Sequence, residues 1–86
     1  MRELTGEDEM ALRKALNPKG RSRALALSGG REYCVIQTPH GRTCLLDIST
    51  MKTLAKWPNG TPLHQMLAQA CDAIETGKTY PEEHAA

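Results

Sequence analysis

The residues of this chain with the chemistry to ligate a metal or form a thiolate–imidazole nucleophile are Cys34, Cys44 and Cys71 and His40, His64 and His84. Tetrahedral zinc sites draw on close pairs such as C-x-x-C or H-x-x-x-H, which put two ligands on one turn or one helix face. Neither spacing occurs here. The odd number of cysteines, each in an apolar context, reads as buried and reduced thiols in a cytoplasmic protein. His40 stands at a turn tip, and His64 has no evident carboxylate companion for general-base work. Asp47, Asp72 and Glu75 show no pairing that suggests acid/base catalysis, and Gly29-Gly30 lacks the spacing and the following Lys-Ser/Thr of a phosphate-binding loop. The expectation is a protein that is not an enzyme and uses neither cofactor nor metal.

Charge offers a stronger signal. The net charge is only +1, but its distribution is uneven. Glu7, Asp8 and Glu9 crowd the start, whereas Arg13, Lys14, Lys19, Arg21, Arg23 and Arg31 follow with no acid among them. Lys19, Arg21 and Arg23, with Arg31 and Arg42, are the candidate contacts to an acidic partner, either a carboxylate-rich protein surface or nucleic-acid phosphates. Trp57 is the one Trp in a chain without Phe, next to Pro58 at a break between elements. It reads as a core plug or, if exposed, as an interface anchor of the kind Trp and Arg supply.

These residues have to be positioned by a small fold. Eighty-six residues make one domain near the lower limit for folding without staples, and 40% apolar content with few aromatics makes a thin core. Such a core favours added stability from a homodimer or from docking on a larger partner. The N-terminus lacks the apolar run of a signal peptide, and no apolar run approaches the ~20 residues of a membrane span.

Thr5-Gly6-Glu7-Asp8 approximates a capping box and opens a helix over 6–16, with acids in the first turn and Arg13 and Lys14 in the last. Met10, Leu12, Ala15 and Leu16 are its expected apolar stripe, and Asn17-Pro18 ends it. Ala24–Leu27 reads as a short strand turning at Gly29-Gly30. Tyr33–Ile48 reads as two strands about the Pro39-His40-Gly41-Arg42 turn. With His40-Gly41 as the turn centre, Tyr33, Val35, Cys44, Leu46 and Ile48 share one face, while Cys34, Ile36, Leu45 and Thr38 lie on the other with Leu25 and Leu27, and Asp47 at its far end. Both faces are then apolar, each needing a cover, and Cys34 and Cys44 are separated. Ser49 caps a short helix over 50–56, broken by Pro58-Asn59-Gly60. Thr61-Pro62 opens an amphipathic helix over 62–76, with Leu63, Met66, Leu67, Ala70, Cys71 and Ile74 at helical spacing and Gly77 as its cap. The predicted architecture is α+β: an N-terminal helix, a three-stranded antiparallel meander, a short helix and a C-terminal amphipathic helix (α-β-β-β-α-α), one domain over 1–77 with an acidic tail over 78–86.

The order helix, three-stranded meander, helix resembles that of double-stranded-RNA-binding domains. That resemblance implies recognition of A-form geometry by a basic helix N-terminus and loops. The last helix departs from that pattern, since Thr61-Pro62-Leu63-His64-Gln65 contains no lysine. By elimination the favoured reading is a small accessory or inhibitor protein, of the kind phages and mobile elements carry. It would dock on a larger intracellular protein or complex with an acidic surface, with nucleic-acid binding through 13–31 as the alternative.

Overall fold

The structure, a computed structural model, describes residues 4–17 and 22–80. It is α+β: helix α1 (Gly6–Leu16), strands β1 (Arg23–Ala26), β2 (Glu32–Gln37), β3 (Thr43–Asp47) and β4 (Lys52–Trp57), and helix α2 (Leu63–Thr76). The strands form one antiparallel sheet in the order β1-β2-β3-β4.

Helix α1 forms as its sequence directs. Thr5 Oγ1 accepts from the Asp8 N–H at 3.1 Å while the Asp8 carboxylate accepts from the Thr5 N–H at 3.1 Å, a reciprocal capping box. Its inward stripe is Asp8, Leu12, Ala15 and Leu16, an i, i+4, i+7, i+8 series that leaves Met10 71% exposed. Helix α2 buries Met66, Ala70, Cys71 and Ala73, with Leu63, Leu67 and Ile74 packed at the margin. Pro62 is its N-cap and, having no side-chain acceptor, gives no side-chain cap; the Thr61 hydroxyl donates to the Pro58 carbonyl.

Three sequence expectations are corrected. The meander has four strands, and the expected short helix over 50–56 is β4. A bulge between Leu45 and Leu46 sets Leu45 opposite Ala55 but Leu46 opposite Thr53, so Leu54 is the extra residue. Leu54 and Ala55 are consecutive and both buried, which erases the period-two alternation that marks a strand. Ser49 caps no helix. Its N–H and hydroxyl both donate to Asp47 Oδ1, and the turn closes at Met51 with φ 58°.

The β2–β3 register differs by one residue from a turn centred on His40-Gly41. Gly41 N–H donates to the Thr38 carbonyl and Thr38 N–H to the Arg42 carbonyl, with Gly41 at φ 85°. The turn therefore spans Pro39-His40-Gly41, the three-residue hairpin that ends in a left-handed glycine. Cys34 pairs with Leu46 and Ile36 with Cys44. That one-residue difference moves all of β3 to the opposite face. Tyr33, Val35, Thr43 and Leu45 now face inward together, with Ala55 and Trp57 from β4.

Both helices cover that inner face, giving one two-layer core. The outer face has no helix over it among the described residues, so of the two covers expected for an apolar face, a helix or a partner, no helix supplies this one. Within the stretch expected as a tail, the described residues reach Tyr80. Tyr80 returns beside β4, exchanging hydrogen bonds with Leu54 and Lys56 at 2.8 Å, and its hydroxyl donates to Asp72. Residues 81–86 lie outside the described part.

Candidate interaction surfaces

The topology defines two ends. The upper end holds the start of β1, the β2–β3 turn and the end of β4; the lower end holds the β1–β2 and β3–β4 turns. Helix α1 runs from lower to upper. Its first turn meets the β1–β2 turn, where Asp8 accepts from the Ser28 N–H at 3.0 Å and its hydroxyl at 2.6 Å. Its last turn meets the start of β1, where Arg23 Nη1 donates to the Lys14 carbonyl at 3.1 Å. Helix α2 returns toward the lower end, where Glu75 Oε2 lies 3.4 Å from the Leu4 N–H.

This arrangement sorts charge along the molecule. Arg13, Lys14 and Arg23 lie at the upper end on the helix side, and Arg42 and Lys56 lie toward the same end on the outer sheet face. Every described carboxylate lies toward the lower end: Glu7, Asp8 and Glu9 in the first turn of α1, Glu32 and Asp47 at strand ends, and Asp72 and Glu75 in the last turns of α2. Arg31, Lys52 and Lys78 offset them only in part. The outer sheet face repeats the pattern. Its centre is Ala24, Ala26, Cys34, Ile36, Cys44 and Leu46, its lower rim carries Glu32, and its upper rim carries Arg42 and Lys56.

Two carboxyls are held ionised by their surroundings. The side-chain and backbone donors of Ser28, joined by the Thr5 N–H, lower the Asp8 pKa to about 2. Asp47 is lowered chiefly by the Ser49 hydroxyl, against a smaller opposing effect of burial. Both carboxylates are occupied in fastening a helix start or a turn.

The predicted site residues separate. Lys19 and Arg21 lie outside the described residues, in the connection between α1 and β1. Arg23 is half-buried and closes the C-terminal end of α1. Arg31 sits at the lower end with its Nε on the Ser28 carbonyl at 3.3 Å, far from the upper cluster. Arg42 is exposed beside His40, Pro58 and Asn59, which line a shallow depression of about 300 Å³. Of the two readings of Trp57, core plug or exposed anchor, the structure takes the first. It is 3% exposed, and its indole N–H donates to Gln69 Oε1 at 2.7 Å, so it is the core plug.

Cys34 and Cys44 are also corrected: they share the outer face as diagonal neighbours. Diagonal Cα atoms stand ~7–8 Å apart, at or beyond the separation a disulfide spans without backbone movement. No group of three or more His, Cys, Asp or Glu among the described residues is placed to hold a metal. Nor is any described helix long and apolar enough to cross a membrane.

Met10, expected in the apolar stripe of the first helix, is instead exposed beside Arg13, Lys14 and Asn17 on a groove of about 450 Å³. The signal was the spacing of Asp8 to Leu12 and Ala15, which excludes position 10 from the buried stripe. A comparison with protein-family models, curated proteins and solved structures finds no match to the chain.

Proposed function

We propose that this protein is a non-enzymatic protein-binding module, an accessory or inhibitor that docks the helix side of its basic upper end, Arg13, Lys14 and Arg23, on an acidic surface of a larger cytoplasmic protein or complex. The observation that supports this is the segregation of charge. The fold brings Arg13 and Lys14 beside Arg23, while the described carboxylates gather at the other end. Exposed Met10 adds an apolar contact to that cluster. An apolar contact ringed by cations suits a protein surface that combines hydrophobic and acidic groups.

The test is comparative capture from source-cell lysate with wild-type protein and the Arg13→Glu/Lys14→Glu variant, with nuclease-treated and untreated samples side by side. The expected result is a protein retained by wild type, lost with the variant and insensitive to nuclease. Identical captures by both forms would remove the basic end from the mechanism. Retardation of duplex RNA or DNA, falling steeply with salt, would favour the phosphate-binding alternative. The fold speaks less for that alternative than the element order did. A fourth strand replaces the expected helix, and α2 begins without a lysine.

A further inference from the structure

We infer that the outer sheet face is a self-complementary surface that binds a second copy of this chain face to face, with the two-fold axis running across the strands. The face is apolar at its centre, with Ile36 and Leu46 flanked by Cys34, Cys44, Ala24 and Ala26, and no described element lies over it. Its charges divide by end: Glu32 below, Arg42 and Lys56 above. A two-fold axis across the strands turns the second copy end for end. Glu32 of each copy then lies over the Thr38–Arg42 end of the other, and the contact repeats by symmetry. Lys56 lies over Thr53, so no like charges oppose. A two-fold contact of this kind uses one patch on both copies and closes, leaving no sticky end.

Area sets the strength. Four strands at ~4.8 Å and about five residues each at ~3.3 Å give a flat sheet of roughly 300 Å². A standard interface buries ~800 Å² per partner. The whole sheet face, charged rims included, therefore supplies less than half of that area, and the charge pairs at the rims have to add to what apolar burial gives. The resulting dimer is weak and, unlike a purely apolar one, loosens in salt. It uses the sheet side of the molecule, whereas the proposed docking on a partner uses Arg13, Lys14 and Arg23 on the helix side, so either can fail alone.

Sedimentation equilibrium of the full chain across micromolar to millimolar concentration tests this, with circular dichroism confirming folded variants. Wild type is expected to show a reversible monomer–dimer equilibrium that weakens several-fold from low to physiological salt. Glu32→Arg or Arg42→Glu alone should raise the dissociation constant roughly tenfold, since symmetry counts each exposed charge pair twice. The double variant should restore it, which no effect on folding alone would do. Arg13→Glu should leave the equilibrium unchanged. A wild-type chain monomeric at millimolar concentration, or a double variant no tighter than the singles, overturns the proposal.

Discussion

Asp8 is the residue whose environment departs furthest from what its type suggests. An acid in the inward stripe of a helix would ordinarily oppose burial, yet three donors from Thr5 and Ser28 surround it and hold its pKa at about 2. A carboxyl with a folded pKa below its ordinary 3.8 contributes stability that is fully present above 3.8. That contribution is lost as pH falls through the interval from 3.8 toward 2. Urea unfolding at successive pH values is expected to show a drop in this window, deepened by Asp47, which shifts in the same direction. Asp8→Asn should be less stable at neutral pH and show a shallower drop, because its amide does not titrate. At the opposite end of the core, Gln69 accepts the Trp57 indole N–H. Gln69→Ala strands that buried donor and is expected to cost about 1–3 kcal/mol by chemical denaturation. Iodide should quench Trp57 weakly in the native protein and strongly once it is unfolded. The Asp8 capping box was visible in the sequence because Thr5 and Asp8 are local; the Ser28 contacts, twenty residues away, were not.

Register is the quantity that distinguishes the elements as read from the elements as folded. Helix α1 was legible to its boundaries, and α2 to within one residue, because capping residues and 3.6-residue spacing are local signals. The hairpin Tyr33–Ile48 was legible as a hairpin but not in its pairing. Choosing between a turn centred on His40-Gly41 and one spanning Pro39 to Gly41 requires the Thr38 and Arg42 hydrogen bonds, and both alternatives leave apolar residues on each face. Strand β4 was illegible for a different reason. Its bulge buries adjacent Leu54 and Ala55, and a strand without alternation looks helical beside Lys and Ala. The register makes a sharp prediction at neighbouring positions. Leu45 is fully buried against the helices, so Leu45→Ala is expected to cost about 2–5 kcal/mol. Leu46 lies on the uncovered face, and Leu46→Ala in dilute protein should cost well under half of that. Equal losses in paired urea titrations would contradict the pairing of Cys34 with Leu46.

At the scale of the whole molecule, a net charge of +1 conceals a strong polarity. The sequence showed acids first and cations next, but not that α2 would run back and lay Asp72 and Glu75 near the first turn of α1, nor that the β2–β3 turn with Arg42 would lie at the same end as the last turn of α1. Those placements follow from chain reversal, so each depended on how the hairpins and helices close in space. The placement of the candidate contacts in the fold was accordingly half legible. The cations were identified by type, while Arg31 turned out at the lower end and Trp57 in the core. A nearly neutral molecule with its charges mixed adheres weakly to an ion exchanger, because attraction and repulsion average out across its face. With charges sorted by end, it can turn its basic end to an anionic matrix and keep its carboxylates beyond the ~8–10 Å over which salt screens them. The chain is therefore expected to be retained on a cation exchanger at pH 7 and to elute later than net charge alone warrants. Arg13→Gln/Lys14→Gln should shorten retention sharply. Lys52→Gln/Lys78→Gln removes the same formal charge from the lower end and should shorten it little. Equal shifts for the two pairs would show that net charge, and not its placement, governs how this molecule meets an acidic surface.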